Sequence, residues 1–465
     1  MNWSKPQAKT NSAGYEIMSS YHPSIINRRR RKWSEERIVW SLQRQIANGG
    51  KRLLDLTLAS ALCITLTPAF FLAATCADRP IYIKRHRRIG YRGKEFMLYS
   101  LPFPNDRLGR FGKRLGLHRL PVLFNILKGD MSFVGPALRH HVRATDGDYQ
   151  QLRRSEIRPG LVNLWQLRQR TNIAFDTPGK TDAEYIDSFS ARRDMGILLR
   201  SLLVRLYGTT PKATQERVEI LDIPLFNSTM EQAIDDILKL ADAPQPARIF
   251  FTNPHCVNIA QSDSEYKKIL QRADLNFADG IGMKIAGHIL ARNICQNVNG
   301  TDLFPRLCAA FADNGKRMYL FGGRPEVCEA VAQWVRTNYP TLELCGWHHG
   351  YIDECNEEVI ADIAAARPDL LVVAMGVPTQ EKWIENHLGQ TGARAAMGVG
   401  GLFDFYSGRI SRAPLWLREL GLEWTYRLIQ EPQRMWKRYI IGNAHFVLRV
   451  CYRRVFEALN HKRGQ

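Results

Sequence analysis

The chain lacks the features that mark disulfide-rich, zinc-binding and most nucleic-acid-binding proteins. Its nine cysteines are scattered without a Cys-x-x-Cys pair, so neither a disulfide framework nor a zinc site is expected. This cysteine usage is typical of a reducing, cytosolic compartment. The sequence has no RNP, zinc-finger or helix-turn-helix signature, which argues against a nucleic-acid partner.

Acidic residues are scarce relative to basic ones. The chain has 65 Lys and Arg against 45 Asp and Glu, a formal net charge of +20. Such an excess requires an anionic partner, for example a membrane face or a phosphorylated substrate. At 465 residues, of which 45% are hydrophobic, the chain is too long for a single core, and two or three domains are expected.

Long apolar runs are also rare. One stretch, Leu56 to Ala77, carries no charge and is long enough to cross a hydrocarbon core as a helix, although Pro68 near its middle would break or kink that helix. A spanning helix should show a basic excess on one side only, whereas this run has basic residues on both sides. These are Lys51, Arg52, Lys84, Arg85, Arg87, Arg88, Arg92 and Lys94. We therefore expect a re-entrant hairpin, with a spanning helix as the alternative. A signal peptide is disfavoured because the run begins far along the chain and no small-x-small site follows it.

Composition divides the chain into five regions, whose boundaries follow changes in charge and in Pro and Gly content. They are a basic, mobile arm (1–50), an α+β region (51–207) with the membrane segment 53–77, a polar linker (208–217), a strand-and-helix region (218–408) and a basic, aromatic tail (409–465).

Four buried strands are predicted in the strand-and-helix region, each followed by Gly or Pro and then by a helical stretch. They are Arg248–Thr252, Met318–Phe321, Leu370–Ala374 and Ala395–Val399. The alternation predicts an α/β fold with a mostly parallel sheet flanked by helices. Ligands of such sheets bind beyond the carboxyl ends of the strands, where the glycine-containing motifs of this region lie.

One carboxylate, Asp279, lies between an apolar run and two glycines, Gly280 and Gly282. Glycines let backbone N–H groups approach a ligand closely, and an acid beside such a loop can act as a base next to a phosphorylated sugar. The alternative is an acid that caps a helix beginning near Ile281. A lone Gly-x-Gly loop does not decide between the two interpretations.

The tail combines basic and aromatic residues. Between Arg409 and Arg454 basic residues outnumber the acids Glu419, Glu423 and Glu431, and tryptophans and tyrosines are interleaved. Segments of this kind lie at lipid headgroups, and each basic residue close to an anionic leaflet contributes about 1 kcal/mol. A solvated helix face is the alternative interpretation.

A series of short motifs follows one order through the second half of the chain. They are Asn253-Pro254, Ala278–Gly282, Gly300–Phe304, Leu320–Gly323, His348–Tyr351, Gly376–Glu381, Gly398–Phe405, Arg412–Pro414, Leu422–Trp424 and Gln430–Pro432. In these motifs, residues 218 to about 443 resemble the WecG/TagA/CpsF glycosyltransferases, which extend lipid-linked sugars in bacterial surface-polysaccharide synthesis.

The resemblance implies an inverting transfer, without metal or cofactor, from a UDP-sugar to an undecaprenyl-diphosphate-linked sugar on a Rossmann-like sheet. It makes Asp279 the candidate general base on the acceptor hydroxyl. It also makes Gly322–Arg324 a candidate for holding the leaving UDP, with a plain strand-to-helix turn as the alternative. The Asp-x-Asp pattern at Asp146–Asp148 lies away from these motifs. The implied substrate-binding residues are Thr252, Asn253, Gly280, Gly282, Thr301, Asp302, Gly322, Gly323, Gln380 and Glu381. The implied lipid-diphosphate or membrane residues are Arg412, Arg427, Arg434 and Arg438.

Two positions depart from the family pattern. The family usually has Thr-x-Asn where this chain has Phe251-Thr252-Asn253, so Asn253 is favoured over Thr252 as the substrate contact. The family often has Arg where this chain has Asn297. A cation that could hold the diphosphate is therefore missing there, and whether Arg292 replaces it is open.

Residues 51 to about 208 resemble the bacterial sugar transferases, which join a sugar phosphate to undecaprenyl phosphate. The matching pieces are Lys51–Leu56, Leu120-Pro121, Asn125–Pro136, Arg158–Leu161 and Leu164–Gln166. Their chemistry should need an Asp-Glu pair directly before Leu-Pro, as nucleophile and metal-site acid. This chain has His118-Arg119 there, and Ala137 in place of an Arg. We therefore expect a catalytically silent membrane anchor, with His118 as an alternative nucleophile.

Three hypotheses follow. The first is a glycosyltransferase at the cytoplasmic face of the bacterial inner membrane that acts in exopolysaccharide or other surface-polysaccharide synthesis. Its partners would be a UDP-sugar, a lipid-linked acceptor, an anionic membrane, and a second copy of the chain or other polysaccharide-assembly enzymes. The second is a bifunctional enzyme that also primes the lipid. The third is a basic membrane scaffold without catalysis.

Overall fold

A computed structural model of the chain describes residues 49–68, 83–101, 120–138, 154, 157–171, 177–207, 216–351 and 357–463. The chain divides into two compact units. The first consists of residues 1–161 and 183–196, and the second of residues 162–182 and 197–465. Residues 1–48 of the predicted arm, residues 208–215 of the predicted linker, His118 and Arg119 lie outside the described residues, and the five predicted regions stay a prediction.

The first unit contains short strands and helices. Its elements are α1 (residues 49–68), β1 (Lys84–Ile89), β2 (Glu95–Ser100), α2 (Leu120–Lys128), β3 (Ser132–Val134), β4 (Gly160–Val162), α4 (Pro178–Asp187) and α5 (Ala191–Tyr207). Three of them, β4, α4 and α5, are shared with the second unit. The pair β1–β2 is antiparallel, and β3 pairs with β4. Helix α3 (Leu164–Thr171) lies wholly in the second unit.

The basic residues at the start of α1 are bound inside the first unit. The Nζ atom of Lys51 donates to the carbonyl of Val134 at 2.6 Å and to the Tyr185 hydroxyl at 2.8 Å, and it also pairs with Asp194. Arg52 donates to the Leu127 carbonyl at 2.7 Å. These two basic residues therefore bind groups of the protein. The expectation of a re-entrant hairpin then depends on the basic residues that follow the apolar run.

The described part of the uncharged run is the helix up to Pro68. Among the residues that the structure describes, no helix is both long and apolar enough to cross a membrane. The remainder of the run, residues 69–77, lies outside the described residues, so the re-entrant hairpin stays a prediction.

The second unit contains a mostly parallel sheet of eight strands with the order β10-β9-β11-β12-β7-β8-β6-β5. The strands are β5 (Arg217–Ile220), β6 (Ile223–Phe226), β7 (Ala247–Thr252), β8 (Leu275–Ala278), β9 (Arg317–Gly322), β10 (Glu343–His348), β11 (Leu370–Ala374) and β12 (Ala395–Gly398). Only β5, at one edge, is antiparallel to its neighbour β6. The α/β prediction and all four predicted strands are confirmed.

Helices cover both faces of this sheet. They are α6 (Met230–Asp242), α7 (Pro254–Ala260), α8 (Ser264–Arg272), α9 (Ile281–Ile289), α10 (Gly300–Asp313), α11 (Pro325–Asn338), α12 (Glu357–Ala366), α13 (Thr379–His387) and α14 (Leu402–Tyr406). The tail adds α15 (Leu415–Arg418), α16 (Glu423–Gln430), α17 (Pro432–Trp436), a π-helical turn (Lys437–Ile441) and α18 (Gly442–Arg463).

Alternating strand residues build two cores, one on each face. Phe250, Phe321 and Val373 pack in one cluster, while their neighbours Phe251 and Leu320 pack in the other. This alternation is the side-chain period of a β-strand, and it explains why the strands read as continuous apolar runs. The first cluster also contains Phe446 and Val450 from α18, so part of the tail is core.

The close approach of β9 and β11 at their carboxyl ends depends on a glycine. Gly322 has φ +127°, and a Cβ atom there would lie 2.5 Å from the Ala374 carbonyl oxygen. Gly323 donates its N–H to that same carbonyl at 2.9 Å. Only glycine allows the two chains to approach so closely at this point.

We predict that Gly322→Ala destabilises the second unit, because the new methyl group meets backbone and the conformation is strained for any other residue. Each effect costs about 1–3 kcal/mol. Thermal unfolding followed by calorimetry should show a lower Tm. Gly392→Ala is the matched control, since Gly392 also has positive φ (+61°) but open space around it. Equal losses in the two variants would contradict the role of the close approach.

Candidate active site

The loop after β8 brings Asp279 to the carboxyl edge of the sheet. Thr252 of β7 pairs with Ala278 of β8, and the Asp279 N–H continues that pairing to the Thr252 carbonyl at 2.9 Å. Gly280 follows with φ +87° and is the N-terminal cap of α9, where no side-chain capping bond is formed. Asp279 is therefore not a helix cap, and its carboxyl group is left to face the cleft.

Both glycines of this loop have a structural reason. The positive φ of Gly280 is a conformation that other residues rarely adopt, and a side chain at Gly282 would overlap the ring of Pro254. The Gly280 N–H donates to the side-chain oxygen of Asn297 at 2.5 Å. Asn297 thus holds the loop at the position where the family often has an arginine.

Asp279 opens into a cleft of about 570 Å³, here called the first cleft. Its walls come from the loops after β7 and β8, from α9, from the start of α10, from α3 and from the tail. The polar and aromatic lining residues are Thr171, Asn253, His255, Asp279, Lys284, Asn297, Asn299, Thr301, Asp302, Phe405, Arg418, Glu423, Trp424, Arg427, Arg438, Tyr439, Asn443 and Phe446.

Burial in the first cleft raises the pKa of the Asp279 carboxyl group to about 6. The nearby Asn253 side chain and the charge of Arg438 act in the opposite direction, and the acids Glu423 and Asp302 add to the increase. Burial also lowers the pKa of His255 to about 4, with Arg438 contributing. Near neutral pH the site therefore has an ionised carboxylate of raised basicity beside a neutral imidazole.

Arginines of the tail also line the first cleft. The Nε atoms of Arg418 and Arg438 are buried and have no hydrogen-bond partner among the described residues. Arg427 lies against the Phe405 ring, with its guanidinium carbon 5.1 Å from the ring centre. Unpartnered buried guanidinium nitrogens are costly in a folded protein, so the cleft is suited to an anionic ligand.

Ion pairs hold the tail against the N-terminus of α10. Arg412 donates to Asp302, in the first turn of α10, at 2.6 Å and to Glu423 of α16 at 3.2 Å. Asp302 also accepts a bond from Asn299, the N-terminal cap of α10, at 2.9 Å. The motifs around Asp302 and Arg412, which are far apart in the sequence, meet in this network.

A second cleft of about 700 Å³ lies beyond the carboxyl ends of β9, β11 and β12. Its lining residues are Gly323, Arg324, Gly350, Tyr351, Ala374, Met375, Gly376, Thr379, Trp383, Gly400, Gly401, Phe403, Asp404, Arg409, Glu431 and Arg434. Three arginines and several glycine loops thus surround a space at the edge where parallel sheets bind their ligands.

Gln380 and Glu381 lie beneath the loops of the second cleft. The Gln380 side-chain oxygen accepts from the N–H groups of Gly376 at 3.3 Å and Gly400 at 2.7 Å, and its amide nitrogen donates to Glu381 at 2.8 Å. Both side chains are buried, and burial raises the pKa of Glu381 to about 7. Within the described residues neither lines a cleft, so the observed role of this pair is to position the two loops.

The structure separates the predicted site residues into three groups. The first cleft receives Asn253, Asp279, Gly280, Gly282, Thr301, Asp302, Arg427 and Arg438. The second cleft receives Gly323 and Arg434. Thr252, Gly322, Gln380, Glu381 and Arg412 support the cleft walls from behind. Thr252 is fully buried and donates its hydroxyl to Asn276 at 2.7 Å, which leaves Asn253 as the residue of this pair that faces the cleft.

Arg292 does not replace the family arginine in the first cleft. It pairs with Glu457 of α18 at 2.9 Å and donates to the Glu219 carbonyl. Cations from the tail, Arg418 and Arg438, occupy that region instead.

Sequence reasoning missed several residues of the first cleft. His255, Lys284 and Trp424 line it, and a signal was available for Lys284, which apart from His288 is the one polar residue in the segment from Ile281 to Ile289. Within the described residues, no group of three or more His, Cys, Asp or Glu is placed to hold a metal ion. Metal independence stays a prediction.

Comparison with known proteins agrees with both resemblances. Residues 218–460 match the model of the glycosyl transferase WecG/TagA/CpsF family, and residues 105–208 match that of the bacterial sugar transferases. A Bacillus subtilis (strain 168) protein named N-acetylglucosaminyldiphosphoundecaprenol N-acetyl-beta-D-mannosaminyltransferase is 34% identical over 222 residues, 48% of this chain and 86% of the relative. A Staphylococcus aureus (strain MW2) protein of the same name is 32% identical over 229 residues, 49% of this chain and 88% of the relative.

Proposed function

Since this chain belongs to the WecG/TagA/CpsF family of glycosyl transferases, we propose that it transfers a sugar from a UDP-sugar to a saccharide linked to undecaprenyl diphosphate. The curated relatives carry that acceptor type and an N-acetylmannosaminyl donor group in their names. The observation that carries the proposal is Asp279, a carboxylate of raised pKa at a cleft that is also lined by arginine nitrogens without a partner among the described residues.

Asp279 acts as the general base. Its carboxylate accepts the proton of the acceptor hydroxyl, whose oxygen attacks the anomeric carbon of the donor sugar. The bond from that carbon to the UDP oxygen breaks in the same step, UDP leaves with the electron pair, and the configuration inverts. A positioned base of this kind typically contributes a factor of about 10²–10⁴ in rate.

The donor diphosphate binds in the second cleft. Arg324, Arg409 and Arg434 line it, together with the loops after β9, β11 and β12. Cations at this edge stabilise the negative charge that develops on the leaving UDP. The first and second clefts adjoin where Arg427 packs over Gly401, a residue of the second cleft, so the donor sugar can extend from one towards the other.

The acceptor diphosphate binds to Arg418 and Arg438 in the first cleft. These two residues belong to the tail, which also exposes a series of large apolar side chains. The exposed apolar residues of the tail are Leu415, Trp416, Ile429, Trp436, Ile440, Ile441, Val447, Leu448, Tyr452, Val455, Phe456 and Leu459. Apolar and basic residues on one segment bind an anionic lipid surface, which supports a position at the cytoplasmic face of the bacterial inner membrane.

The part of the chain that matches the sugar transferases is proposed to be catalytically silent, because His118-Arg119 stands where the Asp-Glu pair is required. The described residues offer no observation that favours a second activity. Sugar-phosphate transfer to bare undecaprenyl phosphate, abolished by His118→Ala, would contradict this part of the proposal.

We predict that the rate of transfer increases as pH rises through about 6, because Asp279 must lose its proton before it can act as a base. Purified protein is incubated with an undecaprenyl-diphosphate-linked acceptor and a series of radiolabelled UDP-sugars, with UDP-N-acetylmannosamine first, and kcat/KM is measured against pH. Asp279→Asn should lower kcat by about 10²–10⁴-fold and remove the acidic limb.

The matched control for this prediction is Asp313→Asn, an exposed acid at the end of α10 that lines neither cleft. It should leave the profile unchanged. An active Asp279→Asn variant with the same acidic limb would exclude Asp279 as the base. Absence of transfer from every UDP-sugar by the wild-type protein would contradict the proposed function.

We also predict that Arg438→Gln raises the KM for the lipid-linked acceptor by about 10- to 100-fold, the usual loss for a hydrogen bond to a charged group. The KM for the UDP-sugar should change much less, since the second cleft has other arginines. Arg454→Gln, an exposed tail arginine on α18, controls for the loss of one positive charge near the membrane. Equal effects of the two substitutions would assign Arg438 to general membrane attraction instead.

A further inference from the structure

Helix α3 precedes the segment that matches the glycosyl transferase family, yet it forms part of the wall of the first cleft. It lies within residues 105–208, which match the sugar transferase model, and within the second unit together with residues 197–465. Its last residue, Thr171, lines the first cleft. Leu164 and Leu167 are buried, so the helix is packed into the second unit and does not lie loosely on its surface.

Three charged side chains join α3 and α5 to the tail, and two of them, Arg168 and Glu419, are buried. The Nε atom of Arg168 donates to Glu419 at 3.1 Å, and Arg200 of α5 pairs with the other oxygen of the same carboxylate. The side chain of Glu419 is 2% exposed and that of Arg168 is 6% exposed. Glu419 ends α15 and directly follows Arg418, a cleft residue.

A second contact lies near the C-terminal end of α3. Lys284, whose side chain is buried, donates from Nζ to the Arg170 carbonyl at 3.1 Å. Lys284 lies in the first turns of α9, directly after the loop that carries Asp279. Helix α3 therefore contacts both the element that follows the candidate base and the element that carries Arg418.

From these contacts we propose that α3 and the C-terminal part of α5 form a brace that holds the tail across the first cleft, with Arg168, Arg200 and Glu419 as positioning residues for acceptor binding. The inference rests on the proposed function. None of the three residues touches substrate. Their effect passes through Glu419 to Arg418, and through Gly421, which packs on Ile281, to Trp424.

The brace predicts a selective kinetic effect. Displacement of α15 moves Arg418 and Trp424, whereas the second cleft is formed by the loops after β9, β11 and β12 and by tail residues outside Leu415–Gln430, namely Arg409, Glu431 and Arg434. Loss of the brace should therefore raise the acceptor KM and change the donor KM little. Burial makes Glu419→Gln disruptive, because Arg168 and Arg200 then lose the negative charge that both of them contact.

The experiment uses the full-length protein and compares Glu419→Gln with the triple variant Arg168→Met/Arg200→Met/Glu419→Leu. Replacing paired buried charges together by apolar residues often preserves packing, so the triple variant should keep α3 docked. We expect Glu419→Gln to raise the acceptor KM by about tenfold or more, and the triple variant to restore a value close to that of the wild type. Hydrogen exchange of the amides in Leu415–Gln430 should increase in Glu419→Gln and return towards normal in the triple variant.

Three outcomes would overturn the brace. They are an unchanged acceptor KM in Glu419→Gln, equal losses for donor and acceptor with a lowered Tm, and unchanged hydrogen exchange in the tail. Each is distinguishable from failure of the proposed function, in which the wild-type protein transfers no sugar and Asp279→Asn has no effect to measure. The exchange readout does not require activity at all.

Discussion

The parallel pairing of β7 with β8 is the constraint on which the candidate site depends. Thr252 lies opposite Ala278, so the next residue of each strand, Asn253 and Asp279, leaves the sheet side by side. Residues 254–278, which include α7, α8 and β8, separate them in the sequence, and no local rule would bring an amide and a carboxylate together at that distance. The pairing also directs every following loop to the same edge, where both clefts open.

The acidic residues at this edge of the sheet differ in whether they pair with an arginine of the tail, and this difference affects their basicity. Asp302, Glu423, Asp404 and Glu431 are each paired with tail arginines. Asp279 has no such partner, and burial outweighs the attraction of Arg438 in setting its pKa. A carboxylate in a tight ion pair would have a low pKa and would be a poor base. The neutralisation of its neighbours thus leaves one acid with the basicity that proton abstraction requires.

The sequence predicted the sheet because buried parallel strands are apolar throughout, as in Leu370–Ala374, and are punctuated by glycine. It predicted Asp279 from motif order. It could not show that the Thr252 hydroxyl turns into the sheet towards Asn276 or that Gln380 lies beneath its loops, because strand facing and loop packing depend on residues distant in the chain. The ion pair of Lys51 with Asp194 was not predictable for the same reason, because the two residues are distant in the chain. From sequence alone, a basic residue beside an apolar run is interpreted as flanking a membrane segment.

The position of α3 gives the segment that matches the sugar transferases a structural role that does not depend on an Asp-Glu pair before Leu120-Pro121. An anchor alone would need only an apolar or basic surface, and its remaining residues would be free to change. A helix that supplies Thr171 to the cleft wall and Arg168 to a buried carboxylate is constrained by the chemistry of the other part of the chain. Substitution of Arg168 leaves a buried charge group incomplete, which is among the more costly changes in a protein interior. Selection for glycosyl transfer would then preserve this helix even where selection for sugar-phosphate transfer has ended.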